Sequence, residues 1–112
     1  MIYRDRVKVA YRVSTGEEDA HGNPIETSVE QMVLANVWPL GTDSKMDGNR
    51  AYVRTRYQMI LAPTVEIPAN IGDALTITWR DYVDLHVDGS VERHYRGSRL
   101  SHYELITKAI VG

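Results

Sequence analysis

The sequence predicts an all-β protein, a small antiparallel β-barrel of about six or seven strands. Three observations carry this. Short runs of β-branched and aromatic residues alternate with polar ones, Gly, Pro, Asn and Asp punctuate the gaps between runs, and no long stretch shows helical periodicity. A barrel is preferred to an open sandwich because closure removes edge strands, which this chain does little to protect with charge or proline.

Val7, Val9, Tyr11 and Val13 alternate with Lys8, Ala10, Arg12 and Ser14, so residues 7–14 form a strand with one buried face. His21-Gly-Asn-Pro24 closes an exposed acidic segment, with Gly22 and Asn23 suited to positive φ and Pro24 fixing the exit. Ile25, Thr27 and Val29 resume the alternation, and Met32 to Trp38 is more continuously apolar. Residues 7–14 and 25–37 therefore read as an antiparallel hairpin. Pro39 cannot donate to a ladder and is expected to end the second strand.

A long polar loop is expected over 40–53, comprising Leu40, Gly41, Thr42, Asp43, Ser44, Lys45, Met46, Asp47, Gly48, Asn49, Arg50 and the residues up to Val53. A small domain that commits so much chain to one loop usually uses it. The third strand runs from Tyr52 to Leu61, with Tyr57, Met59 and Leu61 on one face. Pro63 and Pro68 make 62–71 an extended crossing anchored by Val65, Ile67 and Ile71. Gly72-Asp73 turns the chain into strand 74–80, where Leu75, Ile77 and Trp79 share a face. Asp88-Gly89 is the strongest local hairpin signal. As a two-residue turn it sets Asp84 opposite Arg93, Asp81 opposite Arg96 and Tyr82 opposite Tyr95. Gly97-Ser98 ends that hairpin, and 102–110 forms the last strand.

The 112 residues fit one domain with a real core, residues 1–112. There is no Cys, which excludes disulfides and thiolate metal sites. A formal net charge of -2 offers no global field for nucleic acid. No apolar run is long enough for a membrane helix, and no signal-peptide pattern opens the chain. Seven Tyr and two Trp, with no Phe, suit strand faces half covered by core or partner.

Catalytic chemistry is not indicated. Phosphate loops, nucleophile elbows and His-Glu-x-x-His motifs are absent, so no enzyme activity and no cofactor are expected. His86, His94 and His102 invite a metal reading, but the Asp88-Gly89 register places His94 opposite Val83 and turns it away from His86, so no metal site is expected. The pairing of Asp19 with His21 lacks a nucleophile, and Glu17-Glu18-Asp19 lacks the spacing of a calcium loop. Basic and aromatic residues interleave at Arg50, Tyr52, Arg54, Arg56 and Tyr57, and again at His94, Tyr95, Arg96 and Arg99. Such interleaving suits a strand that stacks bases, and equally one that docks on protein. Tyr52, Arg54, Arg56, Trp38, Tyr95 and Arg96 are candidate interface residues.

From Val7 to Val111 the order of features resembles the head-to-tail stopper, or head-closure, proteins of long-tailed double-stranded DNA phages. The matching features begin with the strand carrying Tyr11, the turn Asp19-Ala-His-Gly-Asn-Pro24, and the strand entering Trp38-Pro39 and the polar loop. They continue with Met59-Ile-Leu-Ala-Pro63, Gly72-Asp73 before the next strand, and the hydrophobic C-terminal strand. The chain departs from the family in having Asp88-Gly89 where members often carry a Gly-Pro-rich segment. The resemblance implies a virion protein of the neck, made in the host cytoplasm, assembling as a homo-oligomeric ring of about six copies, a hexamer. The portal-adaptor protein lies above that ring and the tail terminator or tail tube below. The ring closes the channel after packaging, double-stranded DNA passes through its lumen without sequence recognition, and no membrane is involved. The loop 40–53, and within it Gly41 to Arg50, would line and gate the channel. Two alternatives stay open: another neck component, either adaptor or tail-completion protein, and a small barrel that binds single-stranded nucleic acid.

Overall fold

The computed structural model describes residues 2–47, 50–69 and 71–111; for 42–47, 50–54, 73, 110 and 111 the description is of the backbone. Seven strands follow in order: β1 (Asp5–Glu18), β2 (Pro24–Asp47), β3 (Arg50–Leu61), β4 (Thr76–Trp79), β5 (Tyr82–Val87), β6 (Glu92–Arg96) and β7 (Arg99–Val111). A 3-10 turn, Gly72–Ala74, precedes β4. All seven belong to one antiparallel sheet ordered β3-β2-β1-β4-β5-β7-β6, and a further β3–β7 pairing closes it in a ring-like, barrel-like manner. β6 attaches to β7 outside that ring.

The alternation read from sequence places the core. Val7, Val9 and Tyr11 of β1, Val33 and Ala35 of β2, and Tyr57, Met59 and Leu61 of β3 all point inward. Leu75 and Ile77 at β4, Leu85 and Val87 of β5, and Tyr103 and Leu105 of β7 complete the cluster. Met59, Leu61 and Val87 are each fully buried, so the closing strands hold as much of the core as the first hairpin does.

The crossing 62–71 runs over this core, as its prolines predict. Val65 and Ile67 are buried. Side chains supply the hydrogen bonds that this stretch cannot obtain from a ladder. The Tyr103 hydroxyl donates to Val65 O and accepts from Ile67 N–H. The Tyr11 hydroxyl donates to Glu66 O at 3.1 Å. The Arg93 guanidinium donates to Ile67 O, and Ala62 N–H donates to Leu34 O at 2.9 Å.

Two expectations are corrected. Pro39 does not end β2. The strand passes Pro39 through a bulge between Pro39 and Gly41, then pairs with β3 as far as Asp47 opposite Arg50. The segment expected as a loop over 40–53 is therefore mostly the two strands of a long hairpin; Gly48 and Asn49 lie outside the described residues. A bulge absorbs a residue whose N–H is missing or misdirected, so proline is tolerated there.

The second correction concerns Asp88-Gly89. β5 and β6 do not pair with each other. Both run antiparallel to β7, along the same edge of it: Val87 faces Thr107 and Glu92 faces Glu104, with residues 88–91 set against 105–106. Asp88 N–H still donates to Ile106 O at 2.7 Å. Asp84 opposite Arg93, Asp81 opposite Arg96, Tyr82 opposite Tyr95 and His94 opposite Val83 are thus not formed. Cross-strand pairs of that kind contribute only roughly 0.2–1 kcal/mol each. Pairing β6 with β7 instead lets Arg93 reach the Ile67 carbonyl. The two-residue hairpins lie elsewhere, at Arg80-Asp81, where Trp79 faces Tyr82, and at Gly97-Ser98, where Arg96 faces Arg99.

Candidate functional site

The β2–β3 hairpin extends past the rest of the sheet. Among the described residues, β2 beyond Ala35 pairs with β3 alone, and β3 before Val53 pairs with β2 alone. The β1–β2 ribbon likewise runs on beyond the β1–β4 pairing, which spans only Lys8 to Ala10. These extensions show in the dimensions. The Cα radius of gyration is 16.2 Å, whereas a compact domain of this length has roughly 13 Å.

The register of the β2–β3 arm sets Asp43 opposite Arg54, Lys45 opposite Tyr52 and Asp47 opposite Arg50. Opposite charges directly across an antiparallel pair favour that register. Gly41 stands at the root of the arm with φ 116°. That conformation is open to glycine and strained for any residue with a Cβ. The sequence-predicted channel residues Gly41 to Asp47 and Arg50 thus lie on a paired ribbon.

The outer face of β2 carries an apolar row. Its inward residues are Val33 and Ala35, so Met32, Leu34 and Trp38 point out. Met32 is 58% exposed and Leu34 43%, with Trp38 and the bulged Leu40 close behind. On β1 the adjacent outward row is basic, with Arg6 opposite Leu34 and Lys8 opposite Met32. Outward apolar residues rimmed by charge, here interrupted by Asn36 between Leu34 and Trp38, have the composition of a protein-binding surface.

The remaining candidate residues separate. Tyr57 is in the core, while Arg56 faces out beside Gly41. Tyr95 is 58% exposed and Arg96 is exposed, near the β6–β7 turn. The two basic-aromatic stretches therefore meet β7 at opposite ends, Arg54 opposite Ile110 and Arg96 opposite Arg99. Along a strand that separation is roughly 35 Å.

Tyr57 also belongs to an aromatic group with Trp79 and Tyr82, whose ring centroids are 5.1 and 5.5 Å from it. Trp79 and Tyr82 stack across the β4–β5 turn at 5.6 Å. The Tyr57 phenol is held above its ordinary pKa, first by a hydrogen bond with Tyr82, then by burial, then by the Tyr82 charge.

The histidines are rearranged relative to the sequence reading. His94 lies opposite His102, and their rings stack at 4.7 Å. Glu92 lies opposite Glu104, and Glu104 is within hydrogen-bonding distance of both imidazoles. His86 is on β5, opposite Thr76 and Lys108, away from this group. The β5–β6 hairpin that would turn His94 away from a ligand role does not form, and β6 pairs with β7.

No protein-family model matches the chain, and no curated protein or solved structure is similar enough to count as a match.

Proposed function

We propose that this chain is a structural virion protein of the head–tail junction of a long-tailed double-stranded DNA phage, acting as a ring-forming stopper. The observation that carries the reading is the long β2–β3 hairpin, which continues past a glycine bulge at Gly41 and beyond Val53 extends from the ring-like sheet as a two-stranded arm. In a ring of copies, arms of this kind converge and narrow a channel. A paired ribbon keeps its own backbone hydrogen bonds while it changes angle, so it gates as a unit, with Gly41 as the hinge. Its sequence alternates acidic Asp43 and Asp47 with basic Lys45, Arg50 and Arg54. Such a lining holds a phosphate backbone without gripping it.

The apolar row Met32, Leu34, Trp38 supplies a surface for the neighbouring copy or for the adaptor above. Ring contacts are heterologous, one face meeting a different face, and close by rotation. Copies with a modest interface assemble on a template that raises their effective concentration. The sequence resemblance to head-closure proteins supports the same reading.

The test is electron microscopy of particles from an infection lacking this chain. DNA-filled or leaking heads separated from finished tails support a stopper. Joined, normal virions overturn it. Salt-sensitive binding of the isolated protein to a single-stranded oligonucleotide, together with normal virions, favours the nucleic-acid alternative.

A further inference from the structure

On the β6–β7 hairpin, four side chains form a two-by-two grid on one face. Glu92 and His94 are two residues apart on β6, and His102 and Glu104 are two apart on β7. The register pairs Glu92 with Glu104 and His94 with His102. Tyr103 between them points into the core, so His102 and Glu104 share the outer face.

The donor atoms converge. His102 Nε2 lies 3.0 Å from Glu104 Oε1, and His94 Nε2 lies 3.4 Å from Glu104 Oε2 and 3.0 Å from Glu92 Oε1. One donor atom each from His94, His102 and Glu104 fall within 4.8 Å of one another. Ligands of a tetrahedral zinc ion, with bonds near 2.0–2.1 Å, stand about 3.3 Å apart. His102 Nδ1 is 3.0 Å from Ser101 Oγ, which orients the ring and leaves Nε2 facing the grid. Metal-bound histidines are held in this way by the partner of their other nitrogen.

Charge makes the same point independently. Two carboxylates directly opposite each other on a ribbon destabilise it unless positive charge lies between them. A cation held between them supplies that charge.

We infer that His94, His102 and Glu104, with Glu92 closing the set, bind one divalent transition-metal ion of the zinc class. Two imidazoles and carboxylates suit Zn²⁺, and also Ni²⁺ or Cu²⁺, rather than Ca²⁺ or Mg²⁺. The ion clasps β6, the strand outside the closed ring, to β7. This inference stands apart from the proposed function and does not depend on it.

The experiment is calorimetric titration of the full chain with ZnCl₂ at neutral pH, with thermal melts on the same samples. One ion per chain is expected, with a rise in Tm on saturation. His94→Ala and His102→Ala should each weaken binding at least tenfold and abolish the Tm rise, and Glu104→Gln should weaken it as well. His86→Ala and His21→Ala should leave both readouts unchanged. Glu92→Gln and Glu104→Gln preserve side-chain shape, so they report on ligation even where an alanine variant folds poorly. The inference is overturned if wild type shows no saturable zinc binding. It is equally overturned if binding survives in the His94, His102 and Glu104 variants, or is lost on replacing His86 or His21.

Discussion

The Tyr103 hydroxyl accepts a hydrogen bond from the Ile67 N–H at 3.2 Å, inside the core. The same hydroxyl donates to Val65 O at 3.1 Å. One phenol on β7 thus satisfies two backbone groups of the crossing, a donor and an acceptor, and Tyr103 is only 2% exposed. Tyr103→Phe keeps the ring and strips both partners at once. A buried donor and acceptor left unpaired cost about 1–3 kcal/mol. The urea midpoint should fall accordingly with the m-value unchanged, since the exposed surface is the same. An unchanged midpoint would mean that the crossing is not anchored by this contact.

Arg80 occupies the first position of the two-residue β4–β5 turn with φ 54°. Left-handed backbone costs a non-glycine residue about 1–2 kcal/mol. What Arg80 returns is small: a cation–π contact with its guanidinium 5.3 Å from the Trp79 ring, and a pairing of its exposed side chain with the half-buried Asp5 at 3.5 Å. Arg80→Gly should therefore raise Tm, by a net gain of up to about 1 kcal/mol. A fall in Tm would show that the guanidinium over Trp79 outweighs the backbone strain.

Asp19 organises the β1–β2 turn. Its Oδ1 accepts from His21 N–H at 2.8 Å and from Asn23 N–H at 3.0 Å. These bonds favour the carboxylate and lower its pKa, Asn23 first and His21 second. A depressed folded pKa gives stabilisation that is complete above the unfolded value and is lost as pH falls through the folded one. Amide exchange at His21 and Asn23 should quicken as pH drops below the ordinary carboxylate range, after correction for intrinsic rates. Asp19→Ala should show the quick exchange already at neutral pH. If neither amide responds to pH, the carboxylate does not hold the turn.

The outward residues of β2 separate folding from assembly. Leu34→Glu places a charge on the outward face of β2, at a residue that is 43% exposed and outside the core cluster. Surface changes of this kind usually stay within about 0.5 kcal/mol. The variant should melt like wild type and yet be missing from purified virions, with heads left open. Normal incorporation of Leu34→Glu and of Trp38→Glu would remove β2 from the proposed interface.

Where pattern is local, the sequence is legible. Val7, Val9 and Tyr11, Tyr57, Met59 and Leu61, and Leu75 and Ile77 all alternate in sequence and all face the core. The Pro63–Pro68 crossing is legible for the same reason, because proline acts on its own neighbours. Partner choice is not local. Asp88-Gly89 does not reverse the chain, although Gly89 has φ 91°; residues 88–91 bulge out between β5 and β6, and both strands follow the same edge of β7. The His94–His102 pair depends on a single slip. A regular two-residue turn at Gly97-Ser98 would put His94 opposite Ser101, and the irregularity between His94 and Tyr95 moves it to His102. The polar composition of 40–53 hides its pairing, because a two-stranded arm with little core behind it has no apolar face to display.

Gly41 is where the arm can be challenged most directly. Its φ of 116° is a glycine conformation, and a Cβ placed there meets nothing within 4 Å. Any effect of Gly41→Ala is therefore conformational rather than steric. The substitution raises the cost of the bulge by roughly 1–2 kcal/mol. It can be relieved only by changing the backbone where β2 leaves Pro39. The core strands stay as they are, so the loss should concentrate in the arm. Amide exchange at Thr42 to Asp47 and Arg50 to Thr55 should rise, while Val9, Met59 and Leu105 keep their protection. If the arm gates a channel, the same variant should release packaged DNA at a lower temperature than wild-type particles do. Arm amides that exchange at wild-type rates would show that the bulge tolerates a side chain and is not the hinge.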